Sequence, residues 1–526
     1  MSLRPSSPPA SAVLISGGRV FDLDGDVHHP EEKDLLIVAD RIAACRKGIA
    51  ADLAAGKALP ELPAGASLER FGAKGRLVVP GFVNSHYHSH DVLLKGCFET
   101  IPLELWVLSA LPPAFPKRST AEIRARTLLG AVECLRSGIT TVQDLATIYP
   151  YDEQHVDAIL KAYEDVGIRC VFALQVTDIA GVKSIPFWDE IVPPSMKEGL
   201  SGAVEPYAGG IDVLELVKSA MLKRERLHPR ITWALGPTSP ERCSEALLGG
   251  LGDLSRSRDM PIYTHIYESK AMALIARQSH AKDKGSLINY LQRCGILSPK
   301  LTLAHSVWML PAEIRMLADA GTNVVLNPVG NLKTRGGVAP IRPYMEAGVN
   351  IALGCDNCSC SDAQNMFQSM KLFASLAAIT HPEPGPPTAR DALMAATVSG
   401  ARTTGLAGEI GALKPGMKAD LAILDLSDPS FVPLNSVARQ LVFTEAGRSV
   451  EHVMVDGRFI VRDRRITSID EAALREEIAE LMVQLRRDLQ GVLDRNQRML
   501  PYLMEAHRRT WQSDIGLNRY IGTGNG

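Results

Sequence analysis

The 526-residue sequence lacks the features that would place it in a membrane or on nucleic acid. It contains no stretch of about 18 consecutive apolar residues, which excludes a transmembrane helix. Its 57 basic and 59 acidic residues leave a net charge of −2, so it has no basic excess for nucleic-acid binding, and it has no acidic tail. We therefore expect neither a membrane nor a nucleic acid as its partner.

The sequence also lacks a secretory signal and a nucleotide-binding fingerprint. Its first residues, MSLRPSSPPASAVLIS, are polar and rich in Pro and Ser, without the apolar core of a signal peptide. Nine cysteines, an odd number in a long chain without such a signal, predict reduced thiols and a cytoplasmic protein. Neither a Rossmann glycine motif nor a P-loop is present, which argues against a doubly wound nucleotide-binding sheet.

The composition is that of a soluble chain with a large core, since hydrophobic residues make up 46% and charged residues 22%. Both ends carry β-strand patterns. Residues 13–22 and 34–43 precede the central region, and residues 419–426 and 450–461 follow it. Because the termini of a domain often lie close together, we expect these pieces to form one small β-sandwich domain.

Between the two ends, short apolar runs alternate with longer helical segments, the pattern of a parallel α/β sheet. The eight strand candidates are residues 78–88, 138–145, 170–177, 231–238, 261–268, 301–307, 323–327 and 349–356. Eight β/α repeats predict a TIM (β/α)8 barrel, with a doubly wound sheet as the competing interpretation. The longest insertion, about residues 178–230, separates the third and fourth strands.

An amphipathic helix is predicted over residues 471–495, where apolar residues recur at three- and four-residue steps. Its apolar face would cover the barrel or the β-domain, with a subunit interface as the alternative. The predicted partition has four parts: residues 1–77 and 409–468 for the β-domain, 78–408 for the barrel, and 469–526 for a helical extension.

Metal-ligand residue types stand at the ends of four predicted strands, namely His86 and His88, His265, His305, and Asp356. His86 and His88 project to the same side because alternate residues of a strand share a face. The carboxyl ends of all barrel strands meet at one mouth. Imidazoles and a carboxylate from separate strands suit Zn²⁺, or alternatively Fe²⁺, with an open position for water.

These segments resemble the amidohydrolase superfamily, in particular its cytosine, guanine and S-adenosylhomocysteine deaminases and its triazine hydrolases. The resemblance rests on PGFVNSHYHSH (80–90), THIYE (264–268), LAHS (303–306), GCDN (354–357) and KPGMKADLAILD (414–425). It implies that one divalent metal is bound by His86, His88, His265 and Asp356. It also implies that Glu268 and His305 handle protons, that the substrate is a small molecule, and that the chain forms a homodimer or homotetramer.

The implied chemistry agrees with the residue types. A metal in an open site lowers the pKa of its water to about 7, which supplies hydroxide at neutral pH. Asp356 can accept the proton of that water, and His305 can orient the water and stabilise a developing oxyanion. Glu268 follows His265 by three residues and can protonate a ring nitrogen of the substrate.

A single metal is expected. Binuclear members of the superfamily bridge their ions with a carboxylated Lys or a Glu from the third or fourth strand, and CVFALQVT and ITWALGPT contain neither residue. Glu241 lies beyond the fourth strand, in what is predicted to be a loop. Cys355, Cys358 and Cys360 resemble a metal knuckle, but a closed zinc site needs four ligands and no matching Cys pair follows. We expect a loop of small, polarisable residues beside the mouth.

Four side chains near the strand ends are candidate substrate contacts: His90, Trp106, Trp308 and Asn327. Tyr87 is a further candidate, and packing is the alternative role for the aromatic residues and Asn327. The predicted function is a metal-dependent amidohydrolase that deaminates an aminated N-heterocycle of purine, pyrimidine, pterin or triazine type. Displacement of chloride, a substituted amine or an amide nitrogen from a similar carbon remains open. A non-catalytic assembly protein is a remote alternative, since the ligand set is complete.

Overall fold

The computed structural model describes residues 11–197 and 212–520. The predicted insertion at 178–230 therefore lies partly outside the described residues, and the first ten residues lie wholly outside them. The strands are β1 (Ser11–Val20), β2 (Glu32–Val38), β3 (Arg41–Arg46), β4 (Ser67–Gly72), β5 (Arg76–Pro80), β6 (Phe82–His88), β7 (Ile139–Ala146), β8 (Arg169–Val176), β9 (Ile231–Pro237), β10 (Ile262–Ile266), β11 (Leu301–His305), β12 (Asn323–Leu326), β13 (Ile351–Leu353), β14 (Asp356–Asn357), β15 (Leu421–Asp425), β16 (Val450–Val455), β17 (Arg458–Arg462) and β18 (Arg465–Ile466).

The central strands form one curled parallel sheet in the order β13-β12-β11-β10-β9-β8-β7-β6-β14. The short strand β14 pairs with β6, so the last strand of the series contacts the first. Every residue of β6, β7 and β8 is buried, as expected for barrel strands covered by side chains inside and helices outside. The predicted TIM barrel is confirmed.

The two chain ends share a separate mixed sheet in the order β18-β17-β16-β15-β5-β1-β2-β3, with β4 paired to β1. The junction is the antiparallel pairing of β15 with β5, which joins residues more than 300 positions apart, such as Ile423 and Val78. Alternate residues of β1 point into different apolar clusters, Ile15 into one and Leu14 into the other. The predicted β-domain built from both ends is confirmed.

One predicted strand, residues 78–88, is divided between the two sheets. The break is at Gly81, where a Cβ atom would lie 2.1 Å from Thr140 Oγ1. The chain therefore crosses from β5 to β6 at a position too crowded for any side chain. The predicted strand at 349–356 is also interrupted, and it forms β13 and β14.

The α-helices are α1 (Ile49–Ala54), α2 (Leu103–Ala110), α3 (Thr120–Arg136), α4 (Glu153–Val166), α5 (Trp188–Ile191), α6 (Pro194–Lys197), α7 (Val213–Leu222), α8 (Glu245–Arg258), α9 (Lys270–Ser279), α10 (Leu287–Arg293), α11 (Pro311–Ala320), α12 (Pro328–Lys333), α13 (Ile341–Glu346), α14 (Cys358–Ser361), α15 (Met366–Ile379), α16 (Ala389–Ala395), α17 (Val398–Thr403), α18 (Val437–Phe443) and α19 (Glu471–Gln512). Short 3₁₀ turns include Ser89–Leu94 and Pro240–Arg242. Across the described parts of the chain, a search for helices with the length and hydropathy of a membrane span finds none.

The C-terminal helix α19 extends well beyond the predicted residue 495. It is capped by Asp470, whose side chain accepts hydrogen bonds from the backbone N–H groups of Ala472 and Ala473, and it continues through Pro501. A stripe of buried residues follows one face, and the helix packs against α2, α3 and α9. Its role as a cover over the barrel is therefore observed.

A buried ion-pair cluster joins the base of the barrel to the chain-end sheet. Arg169, the first residue of β8, donates from Nε to Asp420 Oδ2 at 2.8 Å and from Nη2 to Asp420 Oδ1 at 3.0 Å. It also pairs with Asp456, and Lys418 Nζ lies 3.3 Å from Asp456 Oδ1. The bidentate guanidinium geometry fixes the orientation of one sheet against the other.

Candidate functional site

The predicted ligands converge at the carboxyl end of the barrel. His86 and His88 end β6, His265 lies in β10, His305 ends β11 and Asp356 begins β14. Three overlapping sets among these residues and Glu268 each place one nitrogen or oxygen atom per residue within 4.8 Å of the others. Residues that are far apart in the sequence therefore share one small region because barrel strands end at one mouth.

Two of the imidazoles, those of His88 and His265, are arranged with their Nε2 lone pairs facing each other. His88 Nδ1 lies 2.6 Å from Leu145 O and His265 Nδ1 lies 2.6 Å from Thr238 O. A carbonyl only accepts hydrogen bonds, so each Nδ1 carries the proton and each Nε2 carries a lone pair. Nε2 of His88 is 3.2 Å from Nε2 of both His86 and His265. Burial holds the pKa of His88 and His265 well below 6.5, so both rings are neutral.

A cation fits this arrangement. Neutral nitrogen lone pairs at 3.2 Å repel one another, and an electron-pair acceptor between them turns that repulsion into coordination. Each Nδ1–H that points at a carbonyl fixes its ring in the tautomer and orientation that metal ligation requires. The donor set, nitrogen with carboxylate oxygen, is one that Zn²⁺ and Fe²⁺ accept.

Asp356 completes the cluster as an ionised carboxylate. Its Oδ1 is 3.4 Å from His86 Nε2 and 3.5 Å from His88 Nε2. Its Oδ2 accepts a hydrogen bond from Cys360 Sγ at 3.4 Å. Burial by itself would raise the pKa of Asp356, but the imidazoles, with His305 first, outweigh that effect and hold the pKa well below 3.8.

Glu268 and His305 form a second pair beside Asp356. Glu268 Oε2 lies 3.5 Å from His305 Nε2, which has no hydrogen-bond partner among the described residues. His305 Nδ1 donates to Asn331 Oδ1 at 2.8 Å. Burial raises the pKa of Glu268 to about 7, with His305 opposing and Asp356 reinforcing the shift. This carboxyl group can therefore both hold and release a proton near neutral pH.

Backbone conformation at the site is also unusual. His305 and Asp356 have φ angles of 67° and 64°, in the left-handed region that side chains other than glycine rarely adopt. Such conformations persist only where the surrounding structure enforces them, and they concentrate at active sites.

A cavity opens over the cluster. It is bordered by the candidate site residues His88, His265, Glu268, His305 and Asp356 and by apolar side chains of α2 and the turn after it. Two of the predicted substrate contacts, His90 and Trp106, line it. His90 Nδ1 accepts from Thr147 N at 3.3 Å, and Trp106 Nε1 donates to Ser359 Oγ at 2.9 Å.

The other candidate substrate contacts, Trp308, Asn327 and Tyr87, are not among the described residues that line the cavity. Trp308 is buried and donates from Nε1 to Gly336 O. The side chain of Asn327 touches His305 Nδ1 at 3.4 Å, behind the ring. Tyr87 is wholly buried. The cysteine loop packs as thiols, since burial raises the pKa of Cys358 and Cys360 well above 9.0.

Three charged residues of the cavity wall were not among the sequence-based candidates. Glu241 and Arg242 lie in the turn directly after β9, and Arg495 comes from α19. The first two follow a barrel strand, so their proximity to the mouth was a usable signal. No signal marked Arg495, because the packing of α19 against the barrel mouth cannot be inferred from its helical period alone.

Comparison with known proteins agrees with this geometry. A family model described as "Amidohydrolase family" matches residues 77–460. The 5'-deoxyadenosine deaminase of Methanothermobacter thermautotrophicus is 30% identical over 405 residues, which cover 76% of this chain and 86% of the relative. The 5-methylthioadenosine/S-adenosylhomocysteine deaminase of Pyrococcus furiosus is 28% identical over 410 residues, 78% of this chain and 89% of that protein.

Solved structures share the fold. An adenosine deaminase from Xanthomonas campestris with bound zinc has a TM-score of 0.76 at 24% identity, over 91% of this chain and 100% of that one. The zinc complex of the atrazine chlorohydrolase from Arthrobacter aurescens has a TM-score of 0.75 at 23% identity, over 89% of this chain and 99% of that protein. The chain belongs to the amidohydrolase family, as a hydrolase of the type that acts on the C–N bonds of cyclic amidines.

Proposed function

We propose that this chain is a metal-dependent deaminase of an aminated N-heterocycle, and more narrowly of an adenosine-type purine. The observation that carries the proposal is the set of neutral Nε2 lone pairs that face one another and Asp356, next to the proton-exchanging Glu268. The relatives named above are deaminases of adenosine derivatives, which supports the narrower substrate class.

The proposed metal ligands are His86, His88, His265 and Asp356, and the proposed occupant is one Zn²⁺ per subunit, with Fe²⁺ as the alternative. A divalent cation there supplies the Lewis acidity that makes water a nucleophile at neutral pH. A single ion is supported by β8 and β9, which contain neither a Lys nor a Glu to bridge a second one. The zinc in the two structural neighbours supports the choice of metal.

Asp356, His305 and Glu268 each have a separate role in the proposed proton transfers. Asp356 is ionised and accepts the proton of the attacking water. His305 orients this water through its free Nε2, since Asn331 fixes the opposite ring nitrogen. Glu268 donates its proton to a ring nitrogen while the amino-bearing carbon becomes tetrahedral. The proton that Asp356 took from the water passes to the amino group, which leaves as ammonia, and the hydroxyl proton of the tetrahedral adduct returns to Glu268 as the C=O bond forms.

The cavity suits a flat heterocycle. Leu103, Val107, Leu108 and Leu111 provide an apolar wall, and Gln175 and Thr238 add polar groups close to the site. Apolar walls bind the faces of a ring, and a few polar groups set its orientation.

Release of ammonia from a panel of aminated purines, pyrimidines, pterins and triazines tests the proposal. Turnover of adenosine derivatives, lost when the ligands are replaced, is the expected result. If every aminated ring is inert and a chloro, alkylamino or N-acyl compound is hydrolysed instead, the deaminase proposal is wrong and the alternative leaving-group chemistry is correct.

We further propose that the enzyme is a cytoplasmic homodimer or homotetramer. The nine free cysteines support a reducing compartment, and exposed apolar residues on α19, among them Leu493, Leu500 and Met504, support self-association. Light scattering of the purified enzyme at micromolar concentration would show a mass two or four times that of the chain. A monomer would contradict this part.

A further inference from the structure

Two arginines line the catalytic cavity, and neither has a carboxylate partner within the described parts of the chain. Arg242 makes no side-chain hydrogen bond there, and its Nε is buried without a partner. Arg495 reaches neutral oxygens, namely Asn496 Oδ1 from Nε at 3.3 Å, Ala114 O from Nη1 at 3.3 Å and Leu108 O from Nη2 at 3.4 Å. The cavity wall therefore contains two cations that the chain itself does not neutralise.

Two arginines away from this cavity are neutralised within the chain. Arg169 has the carboxylates of Asp420 and Asp456, and Arg118 has those of Glu122 and Asp488. A guanidinium stays charged in proteins, and burying it without an anion is unfavourable. Burial indeed lowers the pKa of Arg242, whereas the paired Arg169 has a raised pKa despite its burial.

The neighbouring Glu241 does not provide the missing counter-charge. Its Oε1 accepts hydrogen bonds from Ser184 Oγ at 3.2 Å and Ser239 Oγ at 2.8 Å, and it forms no ion pair with Arg242. Burial raises the pKa of Glu241, which favours its neutral form. Glu241 therefore acts on Arg242 only through its nearby charge and makes no direct ion pair with it.

We propose that Arg242 and Arg495 bind an oxyanion, a carboxylate or a phosphate, on the substituent of the heterocyclic substrate. A guanidinium presents five N–H donors and no acceptor, and its fork matches the two oxygens of such a group. Hydroxyl groups could fill the same hydrogen bonds, but only an anion also compensates the buried charge. The inference rests on the proposed function, because it concerns the remote end of the same substrate.

Arg495 comes from a part of the chain that the family model does not match. The family match ends at residue 460, and Arg495 lies on α19 beyond it. The adjacent Asn496 donates to Leu108 O and Ser109 Oγ, both at 2.8 Å, so the helix is fixed against α2 where the guanidinium meets the cavity.

Three purine nucleosides with different 5' substituents test the inference. S-adenosylhomocysteine carries a carboxylate, adenosine 5'-monophosphate carries a phosphate, and 5'-deoxyadenosine carries neither. kcat/KM for ammonia release is measured for the wild type, R242Q and R495Q. R498Q is the matched control, because Arg498 is exposed on the same helix three residues from Arg495 and its replacement removes the same charge. Thermal melting confirms that each variant is folded.

The wild type should prefer at least one anionic substrate over 5'-deoxyadenosine by about 10- to 100-fold, the range of a charge-assisted hydrogen bond. R242Q and R495Q should erase that preference. Both variants should lose more kcat/KM on the preferred substrate with an acidic group than on 5'-deoxyadenosine, and R498Q should behave as the wild type. The substrate whose preference in kcat/KM is lost in the variants shows whether the arginines bind a carboxylate or a phosphate.

Two results would overturn the inference and leave the proposed function intact. One is a wild type that uses 5'-deoxyadenosine as well as both anionic substrates. The other is an R242Q variant that loses the same factor on all three. If the wild type releases ammonia from none of the three, nor from other aminated heterocycles, the proposed function itself is wrong and the inference falls with it.

Discussion

Two buried polar clusters occupy opposite ends of the same barrel, and they differ in how they are neutralised. At the base, the cations Arg169 and Lys418 meet the anions Asp420 and Asp456 within the chain. At the mouth, neutral imidazole nitrogens face one another at 3.2 Å around Asp356, with no cation from the described residues. The carboxylates of the base cluster have their cations within the chain, whereas the mouth cluster brings together nitrogen and oxygen atoms of the kinds that coordinate a metal.

The difference separates structural from functional polar groups. A buried group whose partners are all present contributes to the orientation and stability of the fold. A buried group without its partner raises the energy of the fold, so it is retained where a ligand supplies what is missing. Three predictions break one cluster and leave the other unchanged, and a fourth concerns Asp144, a buried carboxyl group outside both.

The largest effect is expected from H88A. This substitution removes the His88 imidazole, which faces both His86 and His265. We therefore expect kcat/KM to fall by about 10⁴-fold or more and the bound metal to be lost. The metal-free variant should be at least as stable as the metal-free wild type, because lone-pair repulsion is relieved. Kinetics, metal analysis and thermal melting check this. An active H88A would contradict the assignment.

E268Q should lower kcat by about 10²- to 10⁴-fold, since an amide cannot donate the proton that the carboxyl group releases. Metal content should stay at the wild-type level, because Glu268 is not among the proposed ligands. Single-turnover kinetics and metal analysis measure the two quantities. Loss of metal together with activity would show that Glu268 is a ligand instead.

R169M should act on the fold and not on the chemistry. It leaves Asp420 buried without its cation, so the free energy of unfolding should fall by about 3–5 kcal/mol. The folded fraction should keep its kcat and its metal. Urea denaturation and steady-state kinetics at low temperature separate these outcomes. An R169M enzyme as stable as the wild type would show that the base cluster is dispensable.

The smallest expected effect is a pH-dependent change in the free energy of unfolding at Asp144. It accepts hydrogen bonds from Ser89 N at 3.0 Å and Tyr163 Oη at 2.7 Å, and burial raises its pKa from 3.8 to about 6. Its proton therefore stabilises the fold fully below pH 3.8, and this contribution is lost as the pH rises through 6. D144N does not titrate.

The stability of D144N relative to the wild type should therefore increase by about 1–3 kcal/mol from about pH 4 to about pH 7. Urea denaturation at both pH values measures it. D420N is the comparison, because Asp420 has the guanidinium of Arg169 as partner and its replacement should cost stability at both values. A pH-independent difference for D144N would mean that its proton is not bound more tightly in the fold.

The barrel, the shared chain-end sheet and the positions of the site residues could be predicted from the sequence. Strand periodicity shows that His86 and His88 share a face, and the barrel rule brings strand ends together. The break at Gly81 could not be predicted, because it arises from contact with Thr140 on a neighbouring strand. Arg495 could not be predicted either, since a helical period shows an apolar face and not the surface that this face covers.

The metal content of the purified wild-type enzyme tests the central claim most directly. The account predicts about one zinc or iron ion per chain by mass spectrometry, removed by a chelator together with activity and restored by adding the metal. R169M should retain this ion and H88A should not. A fully active protein without metal would contradict the account, and two ions per chain would contradict the single site.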